Sequence, residues 1–253
     1  MISSRFLIIN ADDLGISCEV NRGIFTAYEH GVVTDTSLLI NGAASQEAIT
    51  MLKANSQFPA GIHIDLDPLL GWESPGKEKF TRQELNQIMN ESTFIKKIKQ
   101  EILDQIEAFL DTGLIPSHID THHHVHGFPR IFETLMEAMD RYGIKTIRFN
   151  TKGYTLLERE DILFSPETAQ WMEETLREKG ISHPDLLIDP LFPFSLHELP
   201  ARVIELMVHP SMGGDLWRQK DFGMLMDPSF IQTVGEEGIG LISFSELESS
   251  LSR

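Results

Sequence analysis

Short apolar runs alternate with amphipathic stretches along this chain. Residues 6–9, 36–40 and 61–64 have the length and β-branched content of buried strands. Val20, Ile24 and Ala27 recur at helical spacing within 19–29, and a second helix is predicted over 44–54. The clearest helix covers 94–110, where Ile95, Ile98, Ile102, Ile106 and Leu110 form one stripe with Lys and Glu opposite. Residues 118–120 and 146–149 read as the fourth and fifth strands. Helices over 130–142 and 166–179 close at Gly143 and Gly180. Residues 186–188 and 203–208 read as the sixth and seventh strands, the latter also readable as helix. A last strand over 239–244 leads to a short helix at 246–251. The stretches 67–83 and 150–164 show no period and read as loops.

Continuous apolar strands, each followed by a helix, imply a parallel sheet covered on both faces. Seven or eight such units in 253 residues predict an α/β fold, a distorted TIM-like (β/α) barrel forming a single domain over 1–253. An open doubly wound sheet is the alternative, but no Gly-rich phosphate loop follows the first strand.

Charge narrows the partners. A formal net charge of −17 repels phosphate backbones and anionic lipid, which argues against nucleic acid. No stretch approaches the ~20 apolar residues of an integral membrane segment, and the cytoplasm is the expected compartment. Cys18 is the only cysteine, so neither an internal disulfide nor a thiolate zinc site is expected. A homo-oligomer is compatible with everything above.

The candidate chemistry lies at predicted strand ends. Asp12 and Asp13 follow the first strand, and His63 and Asp65 end the third. His122, His123, His124 and His126 follow the fourth, Arg148 ends the fifth, and His209 follows the seventh. In parallel α/β folds these ends face one site. Two adjacent carboxylates suit a metal ligand beside a base, but also a solvated turn. Five histidines within 118–126 favour a metal site, since imidazole is a common neutral ligand and clustered histidines have no packing logic. While the chain stays extended, His118, Asp120, His122 and His124 share a face; His122 and His126 share one if it turns helical. His63 alone reads more readily as a core residue, and its place at a strand end strengthens the ligand reading. Arg148 is either a carboxylate partner or a snorkelling side chain, and His209 either a general acid or a loop histidine. Trp171 reads as core. Trp72 and Trp217, in Gly-rich loops, are candidates to stack on sugar faces or to anchor their loops. Met207, Met212, Met224 and Met226 read as packing.

The segments Ile9–Gly15, Asn21 with Gly23, Val33–Asn41, Gly61–His63, His118–His126 and Glu205–Pro210 together resemble the YdjC/ChbG family of carbohydrate deacetylases. The resemblance implies a distorted (β/α) barrel that hydrolyses an N-acetyl group from an acetylated sugar and releases acetate. The sugar is an oligosaccharide or, as in members associated with hopanoid biosynthesis, a glycolipid. It implies one divalent ion, Mg²⁺, held by Asp13, His63 and His122, with Asp12 as base and His209 as general acid. The donor types by themselves point instead to Zn²⁺ or another first-row ion. Arg148, Asp120, His124 and His126 are expected to touch substrate or support the ligands. Two departures are visible: the family's His-Pro-Gly is His209-Pro210-Ser211 here, and the loops 67–83 and 150–164, expected to contact substrate, follow none of its pattern. Two other readings fit the residues, a different metal-dependent barrel hydrolase such as a phosphoesterase, and a non-catalytic carbohydrate-binding protein.

Overall fold

The computed structural model describes residues 5–71, 84, 87–149, 165–190, 199, 201–236 and 238–251. Residues 72–83 (with Trp72) and 150–164, expected as loops, lie outside them.

In chain order the elements are β1 (Phe6–Leu14), α1 (Cys18–His30), β2 (Asp35–Leu38), α2 (Ser45–Ala54), β3 (Ala60–Ile64) and a short α3 (Asp67–Leu70). Next come α4 (Ser92–Asp111), β4 (Pro116–Thr121), a 3₁₀ turn (His122–Gly127), α5 (Pro129–Tyr142), α6 (Pro166–Lys179) and β5 (Leu186–Ile188). The chain closes with β6 (Val203–Val208), α7 (Leu216–Leu225), α8 (Pro228–Glu236), β7 (Gly240–Leu241), a 3₁₀ turn (Phe244–Glu246) and α9 (Leu247–Leu251). All strand pairings are parallel, in the order β4-β3-β2-β1-β6-β5, with β7 beside the start of β1. Single bridges, Ile119 to Ile147 and Thr146 to Ser182, carry the sheet past β4. The architecture is a distorted (β/α) barrel.

Strand alternation sorts the residues into two faces. Leu7, Ile9 and Ala11 of β1, Ile62 and Ile64 of β3, Ile119 of β4 and Ile204, Leu206 and Val208 of β6 pack against the helices in the main apolar cluster. The opposite parity faces the barrel interior. Its lower layer is apolar: Phe6, Ile8 and Val203 join Ile242, Phe244 and Leu247 in a second cluster. The upper layer is polar and holds Asn10, Asp12, Ser37, His63, His118, Asp120, Arg148 and Glu205, all buried.

Several expectations need correction. The predicted fifth strand over 146–149 is reduced to the two bridges. The predicted last strand over 239–244 keeps only Gly240 and Leu241, because Ile242 and Phe244 leave the sheet to plug the barrel's lower end. There the Phe244 ring stacks on His118 at 3.8 Å, and its backbone N–H donates to Asp35 Oδ2 at 2.9 Å. Residues 67–70, read as loop, make one helical turn. Trp217 sits on α7 rather than in a loop. Trp171 is 37% exposed, its ring edge-on to Phe132, because the stripe of α6 that meets the core consists of Met172 and Leu176.

Gly61 shows how tightly the interior is built. A Cβ there would lie 2.3 Å from the buried His118 ring. Overpacking of this kind costs about 1–3 kcal/mol. G61A should therefore lower the unfolding free energy by that amount, seen as a lower urea midpoint at unchanged slope; an unchanged midpoint would mean the His118 ring is free to yield.

Candidate active site

β1 stays in the sheet through both aspartates, so Asp12 and Asp13 lie within the strand and not after it. Neighbouring strand residues normally face opposite sides. Here the pairing with β2 shifts register between Ala11 and Leu14, and Asp13 takes a left-handed φ of 68°. Such a bulge re-aims one side chain, and it brings both carboxylates to the same upper layer.

The two carboxylates have different partners. Arg148 takes both oxygens of Asp12, donating from Nη2 to Oδ1 at 2.6 Å and from Nη1 to Oδ2 at 2.7 Å. Asn10 Nδ2 adds a bond to Oδ1 at 2.6 Å. Arg148 also reaches Asp120 Oδ2 and Glu205 Oε1, each at 2.7 Å. It is fully buried, so the alternative of a snorkelling side chain falls away. Arg218 donates from Nη2 to Asp13 Oδ2 at 2.6 Å.

The other oxygen of Asp13 faces two imidazoles. Oδ1 lies 3.3 Å from His63 Nε2 and 3.7 Å from His122 Nε2. His63 Nδ1 donates to Asp120 Oδ1 at 2.7 Å, which fixes the ring and aims Nε2 into the gap. Asp13 Oδ1 and His63 Nε2 are buried without a hydrogen-bond partner among the described residues. Buried polar atoms are rarely left so. A cation between them would satisfy both, and one carboxylate oxygen with two imidazole nitrogens is an ordinary donor set for a divalent ion.

Charge in this corner is tightly balanced. Burial alone would raise the Asp13 pKa, but the imidazoles of His63, His209 and His122 hold it well below the usual carboxylate range. Burial would lower the pKa of His122, but Asp65, Asp67 and Asp13 push it up to about 9. His122 Nδ1 lies 3.1 Å from Asp67 Oδ2, on the single turn of α3. His123 Nε2 meets the same oxygen at 3.1 Å. Both His123 and His124 have left-handed φ values, 56° and 57°. This costs roughly 1–2 kcal/mol per residue, and it is how the turn after β4 points His122 back to Asp13.

The remaining expected residues are placed as follows. His209 follows β6, with Nε2 3.8 Å from Asp12 Oδ2; its backbone N–H donates to Asp221 Oδ2 on α7 at 2.9 Å. Burial lowers its pKa, against the opposing pull of Asp13 and Asp12. His124 is buried on the wall of a cavity of about 220 Å³ that Asp12, Asp13, His63, His122 and His209 also line. His126 turns back on its own strand, 2.7 Å from Thr121 Oγ1, and shares no face with His122. Ser211, where the family has Gly, has no left-handed φ, and its hydroxyl donates to Gly213 O at 2.6 Å.

Sequence reasoning missed Arg218, Glu205 and the partnering role of Asp67. Glu205 carried a signal, a lone charge inside an apolar strand. Arg218 carried none, because α7 buries only Leu225 and shows no stripe.

The sequence profile of the YdjC-like proteins matches residues 6–236. A carbohydrate deacetylase of Clostridium beijerinckii is 30% identical over 95% of this chain and 99% of its own length. A chitooligosaccharide deacetylase of Salmonella paratyphi B is 32% identical over 86% of each. Among solved structures, a candidate cellobiose-phosphate cleavage protein of Enterococcus faecalis superposes with a TM-score of 0.73 at 21% identity, over 96% of this chain and 98% of its own. That likeness supports the fold.

Glu205 gives a pH-dependent test. Burial raises its pKa from an ordinary 4.5 to about 8, against the opposing effect of Arg148. Between these values the unfolded chain has lost this proton and the folded chain has kept it, so this group's contribution to stability falls as pH rises. The stability of wild type minus that of E205Q should therefore decline from pH 4.5 to 8 in denaturant titrations. A pH-independent difference would show that Glu205 is ionised when folded.

Proposed function

This chain belongs to the YdjC-like family, and from that premise we propose that it is a carbohydrate N-deacetylase. It removes an N-acetyl group from an acetylated amino sugar, in an oligosaccharide or glycolipid, and releases acetate. The whole of 1–253 serves as one deacetylase domain. The observation that carries the reading is the pair of orphaned atoms, Asp13 Oδ1 and His63 Nε2, facing His122 Nε2 beside Asp12 and His209.

Asp13, His63 and His122 would hold one divalent ion, whose contribution is Lewis-acid polarisation of the amide carbonyl. Two imidazoles in the donor set favour Zn²⁺ or another first-row ion over Mg²⁺, which prefers oxygen. Asp12 is gripped at both oxygens by Arg148, with Asn10 also on Oδ1, which favours a base over a ligand. It keeps an acceptor lone pair on the cavity wall and serves as the base that takes a proton from the attacking water. His209 stands beside Asp12 in the cavity, its backbone N–H held by Asp221; it receives the proton that Asp12 has taken from the water and gives it to the departing amine. Proton removal and delivery thus fall to groups whose nearest atoms are 3.8 Å apart. Asp120 acts through His63, and Asp67 stands in the equivalent place behind His122. His124 contributes cavity wall.

No helix among the described residues is long and apolar enough to cross a membrane. A small acetylated sugar acted on in the cytoplasm is the proposed setting.

Acetate release from N-acetylated oligosaccharides and glycolipids, with metal content measured on the same sample, tests the assignment. D12N should retain the ion and lose at least ~10²-fold in turnover, the scale of one general base. H122A should lose the ion. Near-normal turnover in D12N would remove Asp12 as the base.

A further inference from the structure

The adjacent aspartates meet two arginines in two different ways. Arg148 grips both oxygens of Asp12. Arg218 grips one oxygen of Asp13: Nη2 donates to Oδ2, and Nη1 makes no hydrogen bond among the described residues. The untouched Oδ1 is the atom that faces His63 and His122.

Arg218 is itself held in place. Its guanidinium carbon lies 4.4 Å over the Trp217 ring, its carbonyl accepts from Ser211 N–H at 3.3 Å, and its side chain is 11% exposed. The loop that delivers it is seated on α1 at Gly23, where a Cβ would lie 2.7 Å from Ser211 Cα; Met212 N–H adds a bond to Glu19 O at 3.2 Å. A carboxylate rotates readily about its terminal bond. Nothing in the Asp13 backbone selects which oxygen points to the imidazoles; the guanidinium does.

We propose that Arg218 is a positioning residue for the metal site: by taking Oδ2 it aims Oδ1 at the gap between His63 and His122 and holds Asp13 to a single donor atom. The inference rests on the reading of Asp13, His63 and His122 as the metal ligands. It makes α7, which no apolar stripe marked as a helix, part of the metal site.

The sign of the effect separates this role from simpler ones. A cation a few ångströms from a dication opposes metal binding by charge, so an electrostatic role alone predicts tighter binding when Arg218 is neutralised. A role confined to tying α7 to the barrel predicts a lower Tm with unchanged affinity. Positioning predicts weaker binding, restored by a residue that can still donate to Oδ2. The contact uses one nitrogen, so lysine can supply it.

The test is Mn²⁺ binding to the metal-stripped full chain, followed by the EPR signal of free Mn²⁺, for wild type, R218M, R218K and H63A. R218M should bind about 10–100-fold more weakly, the usual cost of losing a partner of a metal ligand, with the Tm of the stripped protein preserved. R218K should recover most of that loss. Binding by R218M at or above wild-type affinity, or R218K no better than R218M, overturns the proposal. H63A reports on the ligand set: wild-type affinity in H63A would refute the metal reading itself, whereas loss in H63A with none in R218M would refute only the role of Arg218.

Discussion

The upper half of this barrel depends on one buried cation. Arg148 sits among Asp12 of β1, Asp120 of β4 and Glu205 of β6, with no exposure to solvent. Three acidic groups could not share that space without a countercharge. Removing one partner of such a buried pair typically costs about 3–5 kcal/mol. The same guanidinium connects strands from opposite parts of the sheet, so it sets both the charge balance and the spacing of the site. Below it the interior is apolar and closed by Phe244, whose ring supports His118 and whose N–H is capped by Asp35.

From that centre, the roles of the site residues follow from what each oxygen and nitrogen already does. Asp12 has both oxygens held by Arg148, and it suits proton transfer. Asp13 has one oxygen held by Arg218, and it suits ligation. His63 has one nitrogen held by Asp120 and the other aimed at Asp13. Each arginine or carboxylate removes one option from its neighbour, leaving a single arrangement. The strained φ values at Asp13, His123 and His124 fall at the positions where the chain must turn a side chain into the site.

Much of this was legible beforehand, because strand ends and imidazoles leave strong marks. His63, His122, Arg148 and His209 were placed at strand ends from apolar runs alone, and the structure brings all four to one cavity or its floor. The aspartate pair was harder. Alternation puts adjacent residues on opposite faces, and a bulge that cancels this has no sequence signature here. Residues 239–244 have the composition of a strand, yet Ile242 and Phe244 are spent on plugging the barrel. Arg218 and Asp67 lie on α7 and α3, helices too short or too exposed to show a period. Their importance is tertiary: they matter through contacts with Asp13 and His122, which are distant or unmarked in the chain.

The proposed divalent ion has its place among Asp13 Oδ1, His63 Nε2 and His122 Nε2. Anomalous X-ray scattering from crystals grown with Zn²⁺ or Mn²⁺, collected at the metal edge, tests this directly. A single strong peak is expected within bonding distance of these three atoms. A peak centred instead on Asp67 and His123, or no ordered peak near Asp13, would contradict it.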